Sequence, residues 1–286
     1  MSVGRGLNAD DSPDVAEAVA TARAAVDELL WNRSLRTKGS QLAAQVRLLN
    51  AQASAALDGA DLPLSAWRAG SAFDESPMGQ TARGVWRLES ELIGLEPVWA
   101  VAPGQALARM HSLVGAGLID RDKLGRPRST GDPVLDPMHL GVAPSDLAPR
   151  TGPTSDPASP VAAMLAAVRV GMRPATSQSA TAVDPVPAIV RAGVVHAELA
   201  WLRPFPFGNG PIARAAGRLV LATWGLDPNL LTAVDAGVAA GGRPAYVRAL
   251  RAYARGDSGG GSAWMIYYSA AIASGATISN ELLKQL

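Results

Sequence analysis

The side chains best placed to do chemistry lie at residues 203–214, which read Arg-Pro-Phe-Pro-Phe-Gly-Asn-Gly-Pro-Ile-Ala-Arg. Gly208, Asn209 and Gly210 open directly into an apolar run with helical spacing, and Arg214 follows one turn in. Glycines let successive backbone N–H groups converge on one point, and the start of a helix adds a positive partial charge. The chemistry this pattern predicts is anion binding, phosphate foremost, by Gly208, Asn209, Gly210 and Arg214, with Arg203 as a further cation. Gly-Asn-Gly also marks ordinary turns, so the alternative is a plain helix start.

Other chemistries find little support. The chain has no cysteine, which excludes disulfides, thiol catalysis and Cys-ligated zinc. Its 3 histidines, His111, His139 and His196, have no metal-site spacing. Basic and acidic residues nearly balance, giving a net charge of +1, and no basic block suggests nucleic-acid binding. Residues 1–13 lack the apolar stretch of a signal peptide. The longest apolar stretch, 161–172, is too short for a membrane span and contains Arg169. A cytoplasmic protein with no membrane or nucleic-acid partner is expected.

The elements that must position the loop read as helices, and the fold class is all-α. Helical periodicity predicts helices near 13–31, 40–57, 78–95, 105–116, 161–170, 186–202, 212–224, 243–255 and 263–274. Ser12 and Pro13 mark the first N-terminus, Asp58-Gly59 ends the second helix, and Gly225 caps the helix after the loop. The segment 121–160 is rich in Pro, Gly, Asp and Ser. It leaves room for a short hairpin near 125–134, or for a surface loop. Residues 176–185 read as a loop, and 256–262 as a Gly/Ser linker. Nothing in the composition separates two independent domains.

Residues 203–214 resemble the signature of the Fic (Fido) family, His-Pro-Phe-x-Asp/Glu-Gly-Asn-Gly-Arg-x-x-Arg. Pro204, Phe205, Gly208, Asn209, Gly210 and Arg214 match it, and Tyr246 and Trp264 fall where Fic domains carry helical aromatics. The resemblance implies a Fic-like helical core over 78–286 and a β-hairpin flap within 121–143 that docks a protein target. It also implies an N-terminal helical extension over 1–77. Fic proteins transfer AMP, or another phosphate-containing group, from a nucleotide to a protein hydroxyl with Mg²⁺. ATP or another nucleotide is therefore the expected ligand. In the family the last motif arginine grips the γ-phosphate or pairs with an inhibitory glutamate in a Ser/Thr-x-x-x-Glu-Gly/Asn motif. Residues 54–59 resemble that motif, with Ser54, Asp58 and Gly59 at its key positions. Equally, they read as a helix terminus capped by Gly59.

Three departures bear on chemistry. Arg203 stands at the position of the catalytic histidine, and arginine stays protonated, so it cannot serve as general base. Phe207 replaces the acidic residue that holds Mg²⁺, and a phenyl ring cannot ligate a hard cation. Pro211 replaces the first arginine and removes a backbone N–H. No catalytic residue is therefore assigned, and the motif is not expected to hold Mg²⁺. His196, two helical turns before Arg203, reads as a buried, hydrogen-bonded residue rather than a displaced base. Arg218 reads as a helix-surface or salt-bridging residue. Three functional readings follow: a bacterial pseudoenzyme that binds nucleotide or another phosphate ligand and has a regulatory or protein-interaction role, an active adenylyltransferase with a rearranged site, and a helical interaction module without a nucleotide.

Overall fold

The helix that follows the Gly-Asn-Gly loop is surrounded by protein on every side. All of its residues from Asn209 to Thr223 are buried. Its alanines and Gly217 allow that, because small side chains let neighbouring helices approach closely. A Cβ at Gly217 would lie 2.9 Å from the Tyr268 hydroxyl. In a computed structural model of the chain the other helices pack around this one. The structure describes residues 12–129, 133, 134, 168, 186–256 and 258–286.

In chain order the helices are α1 (Pro13–Leu30), α2 (Leu35–Leu57), α3 (Leu64–Ala69), α4 (Pro77–Glu91), α5 (Glu96–Val101) and α6 (Pro103–Gly115). After residues outside the description come α7 (Ala188–Leu202), α8 (Asn209–Thr223), α9 (Val234–Ala240), α10 (Arg243–Arg255) and α11 (Ser258–Gln285). Short 3₁₀ turns span Leu92–Leu95 and Arg121–Lys123. No strand occurs among the described residues, only an isolated bridge between Ala116 and Ile119. The fold is all-α.

α7 and α8 form a helical hairpin whose connection is the 203–208 loop. One core runs from Val15 and Val26 of α1 through Val46 and Leu57 of α2 to Leu219, Trp264 and Ile272. The N-terminal helices thus share their interior with the helices around the loop. α9 and α11 cross at glycines, where a Cβ on Gly237 would meet the Ala271 carbonyl at 2.0 Å. A smaller cluster centred on Trp67 and Val85, with Phe73 and Trp86 against it, pins α3 to α2 and α4.

Several boundaries differ from the sequence expectation. The Gly/Ser stretch at 256–262 is not a linker: Gly256 caps α10 in the left-handed region, and α11 already begins at Ser258. Glycine disfavours a helix, but here it occupies only the first turn of a long one. Burial of Trp264, Met265 and Tyr268 just beyond outweighs the propensity cost. α2 starts at Leu35 rather than 40, after Asn32 Oδ1 accepts the Ser34 N–H. The 78–95 segment divides, as α4 gives way to the 3₁₀ turn at Leu92. The expected helix at 161–170 lies outside the described residues except for Val168. So do the 176–185 loop and most of the 121–143 flap.

Candidate functional site

The 203–208 loop is fixed by contacts from three directions. Arg203 ends α7 with φ 45°, left-handed backbone that arginine rarely adopts. Arg128 offsets that strain. Its Nε donates to the Arg203 carbonyl at 2.7 Å, its Nη2 to the Leu202 carbonyl at 3.3 Å, and its backbone N–H to the Pro204 carbonyl at 2.8 Å. Asn209 closes the loop from the other side. Its Oδ1 accepts the Phe205 N–H at 2.9 Å and its Nδ2 donates to the Phe205 carbonyl at 2.7 Å. The Asn209 amide is therefore a loop staple, and what it offers an anion is its backbone N–H.

His111 of α6 stacks on the Phe205 ring, with centroids 4.3 Å apart, and its Nδ1 accepts the Gly125 N–H at 3.0 Å. That bond requires the neutral ring. Burial pushes the His111 pKa down to about 4. In the unfolded chain a histidine titrates near 6.5, so between those values the unfolded state takes the proton first. Stability therefore falls as pH drops from about 6.5 toward 4. His111→Gln keeps an acceptor for Gly125 without the titration. Its urea-unfolding free energy is expected to decline less steeply between pH 7 and pH 4.5, by up to one proton. An unchanged slope would refute a neutral His111.

Gly208 caps α8 with φ 73°, and the helix starts at Asn209. The first N–H groups of any helix lack intrahelical acceptors. Pro211 occupies the third helical position, where its missing N–H breaks no ladder bond. The group that faces this helix start is Asp58. A Cβ on Gly210 would lie 2.5 Å from Asp58 Oδ1 and 2.8 Å from Oδ2, so only glycine admits the carboxylate there.

Asp58 also pairs with Arg214. The Arg214 Nη2 donates to Asp58 Oδ1 at 2.8 Å and to the Ser54 carbonyl at 2.8 Å, while Nε donates to Ser54 Oγ at 2.8 Å. The two side chains are buried, 0% and 4% exposed. Burial opposes the charge on Arg214, but Asp58, helped by Tyr246 and Asp235, outweighs it and raises the guanidinium pKa. Ser54 and Asp58 can both reach because they lie one turn apart on α2. Gly59 ends that helix in the left-handed region, with Gly59 N–H bonded to Ala56 and Ala60 N–H to Ala55. The two sequence readings of 54–59 thus describe the same residues: a capped helix end that also clasps Arg214.

His196 is buried, and its Nε2 lies 2.7 Å from the Tyr246 hydroxyl within a ring of Tyr246, Trp264 and Tyr268. Burial, then Arg214 and Arg218, hold its pKa well below the usual histidine value. It is a core residue, as the sequence suggests. Arg218 does not cover the surface. It is buried against Glu89 and Asp235. Phe207 presents no oxygen to a cation. Among the described residues no group of three His, Cys, Asp or Glu side chains could hold a metal ion.

Two participants escaped the sequence reading. Arg128 carries no local signal, since it is one arginine in a Pro/Gly-rich segment. His111 was visible only as an isolated histidine, and its stacking partner lies far along the chain.

A helical hairpin with a glycine loop and a buried arginine at its helix start defines a class of fold. No family model and no curated protein matches the chain. Solved structures do. A Fic family protein from Desulfovibrio desulfuricans G20 superposes with a TM-score of 0.65 at 19% identity, over 96% of this chain and 76% of that one. Fic-1 (residues 134–508) from C. elegans gives 0.61 at 16% identity, over 95% and 73%. The protein therefore has the Fic fold.

Proposed function

We propose that this Fic-fold protein binds a phosphate-bearing ligand, a nucleotide such as ATP foremost, at the start of α8, and does not transfer AMP. The observation that carries the reading is the Asp58 carboxylate packed on Gly210 and paired with Arg214. An internal anion occupies the place where the resemblance puts a phosphate, and it uses the arginine that would grip one. Asp58, with Ser54 and Gly59, then acts as an autoinhibitory latch. The ligand's γ-phosphate would replace the carboxylate against Gly208, the backbone of Asn209 and Gly210, and Arg214, with Arg203 nearby in sequence. The protein-target role of the flap belongs to the same reading.

Calorimetric titration with ATP tests it. Wild-type protein should bind weakly and without need of Mg²⁺, because Phe207 leaves no oxygen ligand. Asp58→Ala should bind about tenfold or more tightly, since one charge-assisted contact is worth about 1.5–3 kcal/mol. Equal affinity in the two proteins, or tight binding that requires Mg²⁺, would defeat the reading.

A further inference from the structure

We propose that a cavity on the face of α2 that also carries the Asp58 latch, but nearer the N-terminus of that helix, is a binding site for a small anion carried on an apolar body, such as a medium-chain carboxylate or alkyl phosphate. The cavity holds about 700 Å³ and lies between α2 from Leu35 to Asn50, the Glu89–Ile93 segment and the loop at 228–231. That volume falls within the roughly 300–1,000 Å³ of small-molecule sites. None of Ser54, Asp58, Gly208, Gly210 or Arg214 lines it.

Its walls are apolar, built from Leu30, Leu35, Ala43, Leu92 and Leu231. Against them stand two cations, Arg36 and Arg47, about three turns apart on the same face of α2. Neither has an ion-pair partner among the described residues, and Arg47 is half-buried. A guanidinium drawn partly out of water into an apolar wall favours an anion beside it. The acid that also lines the cavity, Glu89, already bonds Arg218 and offers no counter-ion. Arg218 adds a buried donor: it is 2% exposed, lines the same cavity, and its Nε has no hydrogen-bond partner. Charge and unmet donors thus call for an anion, and the leucine walls call for a hydrocarbon attached to it.

The loop that closes the cavity is built rather than loose. Leu230 has φ 51°, left-handed backbone that is costly for leucine. Asp227 holds it there, with its carboxylate accepting the Leu231 N–H at 2.9 Å and the Thr232 N–H at 2.8 Å. Strained residues over-determined by their neighbours gather at ligand sites. Asn50, at the inner end of the cavity, ties α2 to α9 through the Asp235 N–H at 3.0 Å. α2 runs on from there to Ser54 and Asp58, so an occupant touches the helix that bears the latch.

Calorimetry on the full chain with octanoate, octyl phosphate, octanol and inorganic phosphate tests the site. Octanoate or octyl phosphate should bind, and whichever binds more tightly assigns the anion. Octanol and inorganic phosphate should each bind at least about tenfold more weakly, because each lacks one half of the recognition. Arg47→Glu should weaken the better probe at least tenfold. Arg47→Gln, a milder change, should weaken it less, and Ala43→Trp should abolish binding by filling the cavity. Asp58→Ala should leave it unchanged, which separates this site from the nucleotide reading. Absence of binding by both anionic probes, octanol binding as well as octanoate, or full affinity in a folded Arg47→Glu protein would overturn the proposal.

Discussion

Arg218→Ala is expected to lower the stability of the protein by about 3–5 kcal/mol, the usual consequence of removing one partner from a buried ion pair. The side chains of Arg218, Glu89 and Asp235 are 3%, 2% and 1% exposed. Arg218 Nη1 donates to Glu89 Oε2 at 2.9 Å, Nη2 bonds Glu89 Oε1, and Asp235 Oδ2 lies 3.3 Å from Nη2. Burial works against the charge on Arg218, and Asp235 and Glu89 together outweigh it, so its pKa is raised. Without the guanidinium, two carboxylates face each other in the core. Burial already pushes the Glu89 pKa up, and loss of Arg218 would push it further. The variant should therefore recover part of its stability as pH falls from 7.5 to 5.5, because its folded state takes up protons that the unfolded state does not. Arg218→Met with Glu89→Leu and Asp235→Asn should restore most of the loss, since an apolar replacement leaves no stranded charge. Urea unfolding at the two pH values measures all three. A loss below about 1 kcal/mol for Arg218→Ala would mean that the cluster is open to water.

The same residues show where sequence reading stops. Arg218 was visible as a residue one turn after Arg214, but Glu89 and Asp235 come from α4 and α9. No spacing rule links partners so far apart. The long helices were legible because each presents a sustained apolar stripe, as in α1 with Val15, Val19, Ala22, Val26 and Leu29. The short helices α3, α5 and α9 were not. At six or seven residues they are held by packing on their neighbours rather than by their own propensity. α11 was half read, because glycines at 259–261 signal a linker while the burial that overrides them is visible only in three dimensions. In the site, the glycine loop and the Ser54–Asp58 motif could be read locally. Their meeting across the fold could be expected only through the resemblance to Fic proteins. The stapling of the loop by Asn209, the brace from Arg128 and the stack of His111 on Phe205 required the structure.

Labelled ATP incubated with the wild-type protein and a lysate is expected to leave no label on any protein. Fic chemistry needs a base for the target hydroxyl, and loss of a general base alone costs about 10²–10⁴ in rate. On the function proposed above, Arg203 holds a permanent positive charge at the position that corresponds to the family's base. On the same proposal, Phe207 leaves no oxygen at the position that corresponds to the family's Mg²⁺ ligand, and so no such stabilisation of developing charge. Asp58 meanwhile engages Arg214 at 2.8 Å and closes over Gly210. These obstacles are independent, so lifting one should not suffice. Arg203→His alone should remain silent, although histidine tolerates the left-handed backbone at φ 45° better than most residues do. Arg203→His with Phe207→Asp, Pro211→Arg and Asp58→Gly supplies the base, the metal ligand, the second arginine and a released Arg214 together. Transfer should appear first in that combination, and it should disappear when Arg214→Ala is added. Strong labelling by the unmodified protein, lost on Arg214→Ala, would instead mean that another residue serves as base and that the chain is an active transferase with a rearranged site.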